Sequence, residues 1–517
     1  MVSTNAPANQ AQAAGKATVA ASAGTLLEWY DFYLYLNLAT VIASRFFPGS
    51  HPGAALLFTL GSFAAGIIMR PVGALLFGRR GDRAGRKPAW LMTLTLMGLS
   101  TFATGLVPGY DRIGIAAPAV ILALRLLQGL AIGGGYGGAT VYVAEHSPAH
   151  RRGYFTSWIQ GSTMAGLLVS LAVILLSRYA LDPDRAVSLE KFDAWGWRIP
   201  FLASLILLPL AAWFRVKLQE SPVFRQFTPE GNVSPDPLKA SLAPGNAKRL
   251  LAAIFGLTMG QGVAFVTGGL YAQTFLTDTC RIDIDQVRSM VLIALALSTP
   301  FYVIGGRWSD RIGRKWPMLG GLLIAVASWA LLFREMPPIA GTSGRILLPD
   351  KTEIRNSVAF IGRTRAMLRT SATISYFQDG MQVVESRTDT VFADGQHSAA
   401  TKPSICRTLP GRDFWKIIAL LFPTALGIAI SLGPAGAFLS EVFPAGTRCT
   451  SVSVSHEAGI GIFGGLTAIV TLFLAGGGPG RELAGLWYPT GVGIICLLTG
   501  ILFLPDGRKG SHLEIAP

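Results

Sequence analysis

Stretches of about 20 apolar residues, each closed by a short polar run, follow one another along most of the chain. A helix needs about 20 mostly apolar residues to cross the hydrocarbon layer of a bilayer. Twelve segments qualify: 20–43, 54–77, 89–108, 114–137, 155–178, 197–214, 251–276, 288–305, 316–333, 415–439, 453–475 and 485–504. Their internal glycines and prolines do not argue against helix, because membrane helices tolerate both. The pattern predicts an all-α membrane protein of twelve transmembrane helices. Polar stretches are left at 1–19, 215–249, 335–413 and 506–517.

Two of the polar connections are copies of each other. Gly78-Arg79-Arg80-Gly81-Asp82-Arg83-Ala84-Gly85-Arg86-Lys87 returns as Gly306-Arg307-Trp308-Ser309-Asp310-Arg311-Ile312-Gly313-Arg314-Lys315. A charged decapeptide repeated between membrane-length segments implies two similar halves, an arrangement that carriers use to place a substrate path between them. A second marker repeats as well: Glu145-His146-Ser147-Pro148 leads to Arg152, and Glu441-Val442-Phe443-Pro444 leads to Arg448. The decapeptides lie 228 residues apart and the second markers 296, so 68 extra residues sit between them in the second half. Only 335–413 has room for these. The expected order is a tail (1–19), a six-helix bundle (20–214), a central loop (215–249), helices 7–9 (250–334), an insert (335–413), helices 10–12 (414–505) and a second tail (506–517).

Composition fits a lipid-embedded chain: 51% of the 517 residues are hydrophobic and 14% charged, against roughly 25–35% charged on a soluble surface. The formal charge of +15 is a matter of placement. Lys plus Arg number 5, 2, 6, 4 and 1 in the connections 78–88, 145–153, 215–249, 306–315 and 440–448. The alternate set 44–53, 109–113, 179–196 and 277–287 holds 1, 1, 2 and 1. The positive-inside rule puts the first set, and both termini, in the cytoplasm. The basic excess thus reads as topology, and no nucleic-acid partner is expected. Residues 1–18 carry no basic cluster of the kind that opens an export signal. The four cysteines lack metal-ligand spacing, so no metal is expected. The insert then lies outside. Thr373-Ile374-Ser375-Tyr376, Asp379-Gly380 and Gln382-Val383 read as strand, tight turn and strand; a disordered loop is the other reading. Cys280 and Cys406 share that side, as a disulfide or as two free thiols.

Several motifs in order resemble the major facilitator superfamily, and within it the metabolite:proton symporters. They are Leu27-Glu28-Trp29-Tyr30-Asp31-Phe32, Arg70-Pro71-Val72-Gly73, the first decapeptide, Arg125-Leu126-Leu127-Gln128-Gly129, Trp195-Gly196-Trp197-Arg198-Ile199-Pro200-Phe201 and Glu220-Ser221-Pro222-Val223-Phe224. The resemblance covers the twelve spans and leaves out the tails, the central loop and the insert. It implies carriage of shikimate, 2-oxoglutarate, citrate, or proline and betaine with a proton. Two departures stand out. Gly133-Gly134-Gly135 occupies the place where relatives read Gly-Gly-Glu, and a Tyr and a Gln that relatives often carry are missing near Val266 and Gly269.

Ionisable side chains within the membrane are costly and each is a functional candidate. Glu28 and Asp31 share a face of span 1. Arg70, at a matching depth of span 2, is expected to neutralise one of them. Asp31 is nearer the midplane and is the expected proton carrier, with Glu28 either a second coupling group or half of a static pair. Arg125 can hold a substrate carboxylate, pair with Asp31, or, as the resemblance implies, take part in proton coupling. His456 and Glu457 in span 11 are a titratable pair that could stand in for the missing span-4 acid. Gln128, Tyr33 and Tyr136 are candidate substrate contacts, or ordinary helix-to-helix hydrogen bonders. In the decapeptides, Gly78, Gly85 and Gly313 allow tight turns. Asp82, Arg83, Arg86, Lys87, Asp310, Arg311 and Arg314 are expected to latch the cytoplasmic face, with Glu145–Arg152 and Glu441–Arg448 as further latches. The resemblance implies a role for this motif in the switch between inward- and outward-open states.

The expected function is proton-coupled uptake of a small organic solute across the inner membrane by a monomer. An organic acid comes first, because Arg70 and Arg125 supply positive charge, and a betaine-like zwitterion second. No cofactor is expected, since no phosphate-binding loop is present; the proton gradient is the energy source. An exporter or antiporter, and a non-transporting sensor with 335–413 as its ligand-binding part, stay open. No nucleophile–base pair or metal cluster suggests an enzyme.

Overall fold

The computed structural model describes residues 6–47, 52–182, 185–216, 219–227, 236–361, 366–391, 403–475 and 482–505. The first half holds α1 (Ala6–Asn37), α2 (Pro52–Ala84), α3 (Arg86–Leu106), α4 (Ala116–His146), α5 (Arg152–Leu181) and α6, in two pieces, Arg198–Leu202 and Ser204–Val216. The second holds α7 (Pro244–Thr279), α8 (Ile284–Ile312), α9 (Lys315–Ala340), α10 (Gly411–Val442), α11 (Ala445–Ala475) and α12 (Leu483–Phe503). By length and apolarity, 10 of these can cross a membrane. The other two are α1, with a polar first third and two acids, and α6, broken at Ala203. Each half has its own core: Leu34, Tyr35, Leu94, Ile121 and Phe201 in the first, Val263, Met290, Leu332, Leu421 and Ala429 in the second.

Three regions differ from the polarity pattern. The amino-terminal tail is helical from Ala6 and continues into α1. Ala14, Ala17 and Ala21 seat against Trp90, Tyr142 and Phe155. Alanine is the strongest helix former, and a stripe of it is narrow enough for close packing on large rings. Span 1 breaks at Leu38, and a short helix, Ala39–Phe46, follows. The central loop contains Pro222–Phe227 and Pro237–Ser241, and α7 starts at Pro244. Proline in the first turn explains these starts, because its fixed φ suits the turn and its missing N–H would be unpaired there anyway.

Between α9 and α10 lies a four-stranded antiparallel sheet in the order β1 (Glu353–Ile361), β2 (Ala366–Tyr376), β3 (Gln382–Val391), β4 (Ser404–Thr408). Ile374 lies opposite Val384, and Val384 opposite Cys406. The β2–β3 hairpin turns at Gly380, whose φ of 90° favours glycine. The described hydrogen bonds that anchor the sheet go to the second half. The Asp283 amide donates to the Arg407 carbonyl, the Arg407 amide to the Arg281 carbonyl, and the Leu409 amide to Gln286. Arg345, just before β1, is paired with Asp379 and Asp413. Cys280 and Cys406 are both free thiols.

The two halves meet along α2 and α4 against α11, and α5 against α8.

Candidate functional site

Asp31 projects from α1 towards α4. Arg125 holds it with both terminal nitrogens, at 3.1 and 3.2 Å, and the Gln128 amide adds a bond of 2.9 Å. The Tyr35 ring lies 4.0 Å below the guanidinium, and its hydroxyl is 2.6 Å from Ser62 Oγ. Asp31 and Arg125 are both buried. Asp31 therefore takes Arg125 as its partner, and of the two acids of span 1 it is Glu28 that Arg70 faces. Glu28 and Asp31 are three residues apart, which is about 60° around a helix and 4.5 Å along it. That angle aims only Asp31 at Arg125.

Arg70 serves a second network. Its guanidinium lies 5.4 Å above the Phe32 ring and within Coulombic range of Glu457 and Glu28. Glu28 comes from α1 and Glu457 from α11, so one arginine faces carboxylates of both halves. The Glu28 carboxylate abuts Gly135, filling the space a side chain there would need. His456 is 3.1 Å from Glu457 and stacks on Tyr136 with ring centroids 3.6 Å apart. Gln160 of α5 donates to the Tyr136 hydroxyl at 3.1 Å. On the other side of Arg70 is an aromatic wall: Phe32 against Trp29 at 5.1 Å, and Trp29 against Phe265 of α7 at 5.6 Å. Tyr33 packs on Trp29 at 5.7 Å. The seam thus brings Glu28, Arg70, Glu457, His456 and Tyr136 together, next to the Asp31–Arg125–Gln128 group.

At one end the decapeptides close the halves on each other. Asp82 accepts from the amides of Cys449 and Thr450 at 3.0 and 2.8 Å, and from Arg86 at 2.8 Å. Asp310 accepts from the amides of Gly153 and Tyr154 at 2.8 and 2.9 Å, and pairs with Arg314. Each acid caps the amino end of a helix in the other half, where free amides and the helix dipole favour negative charge. Gly85 and Gly313 leave these turns at φ 110° and 96°, a region side-chain-bearing residues rarely adopt. The turn expected at Gly78 is corrected: Gly78 lies within α2, where it lets the helix approach Thr450 of α11, and an added Cβ would lie 2.8 Å from the Thr450 Cα.

The remaining latches pair differently from the expectation. Glu145 binds Arg448 at 2.7 Å and lies 3.7 Å from Arg86. Glu441 binds Arg314 at 2.9 Å. The Glu145–Arg152 and Glu441–Arg448 pairings are thereby corrected. Within one marker the acid ends one helix and the arginine starts the next, whereas closure of the halves delivers Arg448 to the acid of the other marker. Arg152 retains a Coulombic attraction to Glu441. Arg83 and Arg311 are exposed. The amide of Lys87 joins the latch by donating to Glu220.

The residue pattern did not single out Gln160, Tyr35 or Phe265 as site residues, and it marked Glu220–Phe224 as a motif of the resemblance without giving it a role. Glu220 caps α3 through the amides of Arg86 and Lys87, Ser221 donates to Glu145, and the Phe224 ring lies 5.2 Å from the Arg86 guanidinium. Gln160 was detectable as an amide inside an apolar span.

Two helical halves, latched at one end over buried charge, define a membrane carrier. Residues 16–228 match the family of sugar (and other) transporters. The chain is 33% identical over 331 residues to the glycine betaine/proline/ectoine/pipecolic acid transporter OusA of Dickeya dadantii, covering 62% of this chain and 63% of that protein. It is 28% identical to the alpha-ketoglutarate permease of Escherichia coli over 96% of this chain and 95% of the permease. It is 34% identical to the citrate-proton symporter of Klebsiella pneumoniae over 64% of this chain and 73% of that protein. The fold matches the solved proton:xylose symporter XylE with a TM-score of 0.66 at 16% identity, over 97% of this chain and 98% of that one. The chain belongs to the major facilitator superfamily, in its metabolite:proton symporter branch; it is a transporter and not an enzyme.

Proposed function

We propose that this protein carries a small carboxylate-bearing organic solute, an organic acid or a zwitterion, into the cell together with a proton. It works as a monomer in the inner membrane, without a cofactor, driven by the proton gradient. The relatives named above include transporters of both solute classes, and one of them is a citrate-proton symporter. Both termini and the latched end face the cytoplasm, as the distribution of Lys and Arg supports.

The observation that carries the reading is the buried, two-pronged Asp31–Arg125 pair. An ionised pair removed from water is strongly attractive, and neutralising one member leaves the other uncompensated. A proton arriving at Asp31 would release Arg125, which then needs another anion. That couples protonation to rearrangement of α1 against α4 and so to rocking of the halves. His456 and Glu457 would relay or hold a second titratable charge where α11 meets Arg70. In liposomes containing the purified protein, Asp31→Asn should abolish accumulation driven by an imposed pH gradient while leaving solute exchange measurable. Uphill uptake by Asp31→Asn at the parent rate would remove Asp31 from the coupling.

A further inference from the structure

The charges of the seam are unevenly matched. Three buried carboxylates, Glu28, Asp31 and Glu457, face two buried guanidiniums, Arg70 and Arg125. Both arginines are already engaged, Arg125 by Asp31 and Arg70 by Glu28 and Glu457. The seam offers no surplus positive charge to a di- or tricarboxylate. Among its buried polar atoms without a hydrogen-bond partner, two lie where the halves meet at Arg70: Arg70 Nε, a donor, and Glu457 Oε2, an acceptor; Arg125 Nε and Gln128 Oε1 belong to the neighbouring Asp31 group. Arg70 is 8% exposed and Glu457 1%. Such atoms cost free energy unless a ligand meets them. Beside them runs the apolar wall of Phe32, Trp29 and Phe265, joining α1 to α7.

We infer that Arg70 and Glu457 are the two poles of a site for an amino-acid-like zwitterion whose ammonium still carries an N–H. This deepens the transport reading above and rests on it for the location of the solute path. The solute carboxylate accepts from Arg70 Nε, its ammonium donates to Glu457 Oε2, and its hydrocarbon lies on the aromatic wall. A zwitterion adds no net charge to the seam and gives Arg70 Nε and Glu457 Oε2 each a partner. Because the poles come from different halves, only the closed carrier presents both.

The probes are a matched pair, L-proline and cyclopentanecarboxylate, which share a ring and a carboxylate and differ in the ammonium. Glycine betaine and citrate complete the panel. Calorimetry on the purified full-length protein should give L-proline at least about 100-fold tighter than cyclopentanecarboxylate, since a site built to bind a polar group rejects the analogue lacking it. Glu457→Gln should cut that ratio below about 10-fold by weakening L-proline alone. Equal binding of the pair, a ratio unchanged in Glu457→Gln, failure of L-proline to bind, or tighter binding of citrate or glycine betaine would each overturn the inference. The parent protein alone decides the first comparison, so a poorly folding variant does not block the test. Binding of L-proline without gradient-driven uptake would refute proton-coupled transport and leave the site standing.

Discussion

At the residue scale, the glycine at 135 shows how one position depends on another. The chain lacks an acid there, and the Glu28 carboxylate of α1 occupies the space instead. Gly135→Ala should therefore cost about 1–3 kcal/mol through overpacking. Glu28→Ala should recover most of it, giving a coupling of about 1–2 kcal/mol in a thermal-denaturation double-mutant cycle. Additive effects would mean that the two groups do not share this space. The charged residues of the site were legible because an ionisable group in an apolar span is conspicuous. Which acid meets which arginine was not. Depth along a helix can be counted from the sequence, but the direction a side chain takes around it depends on how neighbouring helices are rotated.

At the scale of elements, the latch is two helix caps made in opposite directions. Asp82 caps α11 and Asp310 caps α5, each through two backbone amides. Hydrogen bonds to a charged acceptor contribute about 1.5–3 kcal/mol each. Asp82→Asn combined with Asp310→Asn should thus shift the balance towards the state open at this end by at least about 100-fold. Spin labels at Arg83→Cys and Arg311→Cys, exposed and in opposite halves, would read this as a longer and broader distance distribution. An unchanged distribution would mean that the caps do not hold the halves. The decapeptide repeat announced these turns plainly, but the exchange of partners between Glu145 and Arg448 could not be read, because it exists only once the halves are apposed.

The end of α7 provides a separate check. Burial pushes the Cys280 thiol up to about 12, although Arg407 pulls it down. The reactive thiolate then stays scarce up to pH 9, and maleimide labelling of Cys280 in the folded protein should be at least about 100-fold slower than in the denatured chain. Because folding favours the protonated thiol, its contribution to stability is complete below an unfolded value of about 8.5 and is lost as pH rises through the folded one. Rapid labelling at pH 8 would show that this thiol is not enclosed.

At the scale of the whole molecule, duplication, the halves and an extra segment were all readable. The 68-residue discrepancy between two repeat spacings located the insert without reference to its structure. The β2–β3 hairpin was readable from its turn, whereas the outer strands and the anchor at Arg281–Asp283 depend on contacts distant in sequence. That anchor has a mechanical consequence. With β2 at 11 residues, the sheet reaches about 35 Å, and its described tethers hold it to one moving body. It should swing like a pointer when that body tilts, magnifying a small rotation at the membrane into a large displacement at the tip. A fluorophore pair spanning the pointer and the opposite body would follow single turnovers in real time.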